Sequence, residues 1–203
     1  MSVTMPAPEF TRSFPELREF LLKEVVGPDY PVKHLIEQAR NKGHITKGKR
    51  GRGGGVVTSR DTAMLLIGTL AGDTPQSSSD AMGGIAQLKP SGGTNDLTFR
   101  GLEHGWRNHS FVDTVALLID AWRHDFHFGF LDMSITVTRE PRMSAQLIWN
   151  DIPYERDEHV SYSIPIKDKP VAAVTSRRRL SASYGGEVFR MAADWLEGRE
   201  GYP

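Results

Sequence analysis

The sequence predicts an α+β protein, in which an N-terminal helical domain is followed by a small α+β domain with a mainly antiparallel sheet. Two patterns predict this class. Apolar residues recur at three- and four-residue spacing through much of residues 14–71, as in helices, and alternate at period two in short segments within residues 134–166, as in strands. A stretch rich in Ser, Gly and Pro, residues 72–101, separates the two patterns. We therefore expect domains at 12–72 and 106–200, joined by a linker or ordered loop at 73–105.

Three helices are predicted in the N-terminal domain. The first covers residues 14–26 behind the N-cap Ser13, the second covers residues 31–42 and stops at Gly43, and the third covers residues 59–71. Each has apolar residues at helical spacing and a break at its end.

A hairpin is predicted between the second and third helices. Short β-branched segments at 44–46 and 56–58 flank the sequence KGKRGRGGG, residues 47–55, which we call the basic segment. This arrangement predicts two paired strands with a flexible, positively charged tip.

The C-terminal domain begins and ends with a helix. Residues 110–123 form an apolar helix that we expect to be largely buried, and residues 186–197 form the last helix. Strands are predicted at 134–139, 144–149 and 160–166. The few predicted strands can cover only one face of each apolar helix. We therefore expect the remaining apolar surface of these helices to be buried in a homodimer.

Composition excludes several classes of protein. The chain has 203 residues, of which 38% are hydrophobic and 25% charged, values typical of a globular protein that does not cross membranes. The absence of cysteine excludes disulfides, zinc–cysteine sites and thiol nucleophiles. The N-terminus lacks a secretory signal, so we expect a cytoplasmic protein. No nucleotide-binding or nucleophile motif is present, and we expect no catalytic site, no cofactor and no metal.

The net charge of zero conceals a separation of charge along the chain. Residues 1–60 carry 11 Lys and Arg against 6 Asp and Glu, whereas residues 61–203 carry 14 against 19. Residues 40–60 contain seven Lys and Arg and no acid. Such a run favours a polyanionic partner at the N-terminal end.

The order helix, helix, basic hairpin is the order of elements in a winged helix-turn-helix. Residues 14–72 resemble, in pattern, the winged helix-turn-helix DNA-binding domains of bacterial and prophage regulators. The resemblance implies that the second helix enters the major groove of double-stranded DNA and that the hairpin lies beside it as a wing. The expected DNA-contacting residues are Lys33, His34, Gln38, Asn41, Lys42, Lys47, Lys49, Arg50, Arg52 and Arg60.

The basic segment also resembles an AT-hook, a short arm that lies in the minor groove of A·T-rich DNA. The likeness lies in residues 49–53, Lys-Arg-Gly-Arg-Gly, and implies that Arg50 and Arg52 are the minor-groove residues. The sequence departs from that family at Gly53, where a proline is expected.

Other interpretations of these residues stay open. The basic segment can be a solvated loop that only aids solubility. It can also bind protein or RNA, in a non-enzymatic phage or host interaction protein such as an assembly or inhibitor factor. The third interpretation is an enzyme in which His124, His127 and Asp132 bind a metal ion. A second basic cluster, residues 177–179, fits a phosphate backbone, an acidic partner or a plain charged loop.

Overall fold

The computed structural model of the protein describes residues 11–47, 55–93, 109–123, 131–140, 143–151, 156–163 and 180–199. These residues contain helices and one antiparallel sheet, so the predicted α+β class is confirmed. The helices are α1 (Phe14–Phe20), α2 (Val32–Asn41), α3 (Ser59–Ala71), α4 (Pro75–Ile85), α5 (Phe111–Arg123) and α6 (Gly186–Leu196). The strands are β1 (Lys89–Gly93), β2 (Leu131–Glu140), β3 (Ser144–Asp151), β4 (Arg156–Ser163) and β5 (Leu180–Gly185).

The strands form a single sheet in the order β1-β4-β3-β2-β5, with every neighbouring pair antiparallel. Ile135 lies opposite Leu147 and Val137 opposite Ala145, and all four side chains are buried. Because side chains alternate at period two, one face of β2 and β3 points toward the core. Helices α3 and α6 pack against β2 and β5.

Helix α3 lies at the centre of the molecule. Eleven of its thirteen residues are buried, polar residues included. It packs against α4, α5 and α6 and against the sheet, so no side of it is left to solvent as an apolar face. Burial of this kind is expected of a helix that is apolar around most of its circumference.

The first predicted helix, residues 14–26, begins at its predicted cap and stops at Gly27, but only Phe14–Phe20 is α-helical. The backbone N–H of Ser13 donates to the Glu16 carboxylate at 2.7 Å, and Ser13 Oγ donates to the same oxygen at 2.7 Å. After Phe20 the backbone continues as a π-helix, Leu21–Val26, and ends at Gly27, where φ is 83°. Glycine adopts this left-handed backbone without strain.

Within the linker or ordered loop predicted at 73–105, residues 75–85 form α4 and residues 89–93 form β1. Thr74 caps α4, since its hydroxyl accepts the Ser77 N–H at 3.2 Å, and Met82 and Ile85 are fully buried beneath it. The buried residues of 12–72 and 106–200 belong to one hydrophobic cluster. Within the described residues the two predicted domains therefore share a core.

The predicted pairing of residues 44–46 with 56–58 is wrong. Val56 forms an antiparallel bridge with Ser13 instead, and the Val57 N–H donates to the Arg12 carbonyl at 2.8 Å. The backbone N–H of Thr46 donates to a side chain, Asp61, rather than to a strand. The ends of the basic segment are thus bound to other parts of the fold and not to each other.

The apolar residues of the last helix are covered within the chain. Phe189 and Leu196 are buried, and Trp195 is 8% exposed because its ring stacks on Phe20, with centroids 5.2 Å apart. Val56 is the large hydrophobic residue that stands exposed in the described part of the chain. The exposed apolar surface from which the homodimer was predicted is therefore absent from these residues. The homodimer stays a prediction.

No helix among the described residues combines the length and apolar composition of a membrane span.

Candidate nucleic-acid interface

Helix α2 presents a polar face to solvent because its apolar face is fully used in packing. Its buried residues are Val32, Leu35, Ile36 and Ala39, as the sequence predicts. Of the expected DNA-contacting residues on this helix, Lys33, His34 and Asn41 are exposed and Gln38 is half-buried. The His34 Nδ1 lies 3.9 Å from the Glu37 carboxylate, so one acid shares this face.

Two of the expected DNA-contacting residues already have carboxylate partners. Lys42 is bound to Asp80 of α4, and this hydrogen bond lowers the pKa of Asp80. Arg60 Nε donates to Asp113 of α5 at 3.0 Å. Burial raises the pKa of Asp113, but hydrogen bonds from Ser110 and Arg60 outweigh that effect and hold it below its usual value. Both cations therefore contribute less to an anion site than their charges suggest.

Residues on both sides of the basic segment are hydrogen-bonded to one buried carboxylate, that of Asp61. Asp61 is 3% exposed, and it accepts the backbone N–H of Thr46 at 2.7 Å. It also accepts the Thr58 N–H at 3.0 Å and the Thr58 hydroxyl at 2.8 Å. Because Thr46 precedes the segment and Thr58 follows it shortly, Asp61 fixes both ends against the start of α3. The sequence places Asp61 only in a helix cap; its contact with Thr46 has no local signal.

Two of the expected DNA-contacting lysines have no carboxylate partner in the described part of the chain. Lys47 is exposed, and neither it nor Lys33 forms an ion pair within the described residues. Lys49, Arg50 and Arg52 lie outside the described residues, as do His124, His127 and the basic cluster 177–179. The side chain of Asp132 is likewise not described.

His44 adds no positive charge to this surface at neutral pH. Its ring packs toward α4, where its Cε1 would lie 3.6 Å from a Cβ at Gly83. Burial lowers the pKa of His44, and the neighbouring Lys42 charge lowers it further. His44 is therefore a weaker candidate for an anion contact than the lysines and arginines of this surface.

A separate open groove of about 570 Å³ lies between the N-terminal helical region and α6. Phe20, Trp195 and Met191 contribute its apolar lining. Four acidic and three basic side chains surround them. This balance does not favour a polyanion, whereas α2 and the basic segment carry most of the expected DNA-contacting residues.

Comparison with protein families, with curated proteins and with solved structures gives no match to this chain.

Proposed function

We propose that the protein binds double-stranded DNA and acts as a transcription regulator of bacterial or phage type. The observation that carries the proposal is the junction of two features: the exposed polar face of α2 and an acid-free basic segment whose ends are both held by Asp61. A duplex is a polyanion, and cations on a fixed framework bind it with release of counterions.

The dimensions of α2 suit the major groove. Its ten residues span about 15 Å, and an α-helix of ordinary diameter fits a groove about 12 Å wide. Asn41 is exposed at its C-terminal end, and an asparagine amide can make two hydrogen bonds to adenine. Lys33 lies in its first turn and suits a phosphate. We assign Asn41 to base contacts and Lys33 to the backbone.

The basic segment provides the second contact. Residues 47–55 include four Lys and Arg. Val56, which follows them, pairs with Ser13, the neighbour of the Phe14 whose ring lies under the Arg40 guanidinium of α2. Glycines at five of its nine positions permit close approach to the duplex. We propose that the segment follows the backbone or the minor groove as an arm, without the paired strands of a wing.

A salt series tests the proposal directly. Fluorescence anisotropy with a random 30-base-pair duplex, the matching single strand and an RNA of equal length gives three affinities at each salt concentration. We expect the duplex to bind most tightly and its log Kd to rise linearly with log salt. Tighter binding of RNA would favour an RNA-binding protein. No binding to any of the three at low salt would favour a protein partner for the basic segment and the exposed Val56.

A pair of variants locates the contact. Lys33→Ala with Lys47→Ala should lower the salt slope by about 2, since each lost phosphate contact contributes about 0.9. Lys89→Ala is the matched control, because Lys89 is an exposed lysine of β1 outside this surface. A slope in the double variant equal to that of the wild type would remove α2 and Lys47 from the interface.

A further inference from the structure

Arg40 differs from most of the described arginines because it has no carboxylate partner among the described residues. Six others each have an acid within 3.6 Å: Arg12, Arg18, Arg60, Arg123, Arg139 and Arg199. The Arg40 guanidinium carbon instead lies 4.0 Å from the centroid of the Phe14 ring. Its Nε is buried and has no hydrogen-bond partner in the described part of the chain.

The ring of Phe14 gives the guanidinium a fixed place. Phe14 is 2% exposed, so the ring itself is held by the core. A cation over an aromatic face is attracted to the ring, and little further side-chain entropy is lost when such a group binds a ligand. The in-plane N–H donors of the two Nη atoms are not used in stacking, whereas the Nε–H is buried. They match the geometry of a phosphate, which accepts two of them side by side.

Arg40 lies where the two parts of the proposed interface meet. On α2 it follows Lys33 by seven residues, two helical turns, so both point to the same side of the helix. Phe14 directly follows Ser13, whose backbone pairs with Val56 at the end of the basic segment. The stacked guanidinium is therefore adjacent both to the exposed side of α2 and to the point where the segment rejoins the fold.

From this geometry we infer that Arg40 binds a phosphodiester group of the DNA backbone. The inference rests on the proposed function and adds a residue to it that charge counting alone does not select. Arg40 sets the register of α2 on the duplex, because its position is fixed by Phe14 before binding, whereas Lys33 and Lys47 are exposed and have no such ring contact within the described residues.

A purely stabilising role makes a different prediction. Arg40 lies in the last turn of α2, where a cation interacts favourably with the helix dipole. In that case its loss would lower the thermal stability of the protein and leave the salt dependence of DNA binding unchanged.

The test compares Arg40→Met with Arg18→Met by anisotropy with the 30-base-pair duplex over a salt series. Arg18 is a matched control: it also has a buried, unpartnered Nε, but its guanidinium is bound to Glu19 at 2.7 Å. Both variants lose one positive charge. We expect Arg40→Met to weaken binding roughly ten-fold and to lower the slope by about 1, and Arg18→Met to leave both near wild type.

Equal affinity and slope in the two variants would overturn the role of Arg40 while the wild-type affinity still supports DNA binding. Failure of the wild type to bind the duplex would overturn both proposals. Thermal melting checks folding, and if Arg40→Met does not fold, Arg40→Lys decides the question. The lysine keeps the charge but not the paired donors, so a several-fold loss supports the inference and wild-type affinity overturns it.

Discussion

The carboxylate of Asp61 accepts a hydrogen bond of 2.7 Å from the backbone N–H of Thr46, which lies fifteen residues earlier in the chain. The same carboxylate caps α3 through Thr58. One buried side chain therefore closes the loop that carries the basic segment.

Asp61→Asn tests the hydrogen bonds that close this loop, because it removes an acceptor without changing the volume of the side chain. An amide keeps the shape but presents an NH₂ group to one of the N–H donors, so a buried donor loses its acceptor. We expect a loss of about 1–3 kcal/mol in the free energy of unfolding, measured in urea. Asp73→Asn is the control, since the Asp73 side chain is 86% exposed beside Arg139 and such pairs contribute little. Equal stability of the two variants would contradict the closure.

Gly72→Ala should be strongly destabilising for a steric reason. A Cβ at Gly72 would lie against the Ser78 backbone, 2.6 Å from its Cα, where α3 turns into α4. The backbone cannot move aside as a flexible side chain would, so we expect a cost of about 1–3 kcal/mol. Gly92→Ala, where nothing lies within 4 Å of the added carbon, is the control. Thermal melting of both variants measures the difference.

Truncation after residue 75 should prevent folding. The predicted boundary at residue 72 lies beside α3, yet α3 packs against α5 and α6, which come much later in the chain. A fragment ending there would expose fully buried residues such as Leu65, Leu66 and Ile67. Circular dichroism and urea denaturation should give no cooperative transition for the fragment. A folded, cooperative fragment would restore the two-domain interpretation.

The stability of the protein should fall at alkaline pH through Tyr162. Burial raises the pKa of Tyr162 to about 12, from 10.0. A raised pKa means that the folded state holds the proton more tightly, so this stabilisation is present below pH 10 and is lost as the pH rises toward 12. A shift of this size corresponds to a contribution on the order of a few kcal/mol.

Tyr162→Phe isolates this contribution. The variant loses the hydrogen bond to the Thr114 hydroxyl, at 2.9 Å, and should be about 1 kcal/mol less stable at pH 7. Because phenylalanine does not ionise, its urea midpoint should decline less than that of the wild type between pH 10 and 12. An identical decline in both proteins would show that groups other than Tyr162 cause the loss of stability at alkaline pH.

The sequence predicts the elements whose signals are local. Ser13, Pro15 and Glu16 mark the start of α1 within four positions, and the alternation in β2 and β3 marks two strands. Helix α4 is missed because PQSSSD is a poor helix former in isolation. Met82 and Ile85, three residues apart and buried, are the signal that favours it.

Long-range contacts explain the other errors. Strand β1, Lys-Pro-Ser-Gly-Gly, has no strand propensity and owes its conformation to pairing with β4. The β-branched residues Val56 and Val57 do favour extended backbone, but the partner is Arg12–Ser13, more than forty residues away. The stacking of Arg40 on Phe14 is of the same kind. The sequence therefore predicts that Lys33 and Lys47 are exposed, but it does not predict where the Arg40 guanidinium lies.

The enclosure of α3 determines how the proposed interface responds to a ligand. Asp61 and Thr58 lie at the start of a helix in which eleven of thirteen residues are buried, so we expect its amide protons to exchange mainly when the core opens. The residues that flank the basic segment are therefore attached to a part of the fold that we expect to exchange slowly. A partner that binds the segment in the folded state should slow hydrogen exchange in α3 and in the strands behind it, far from any surface that the partner touches.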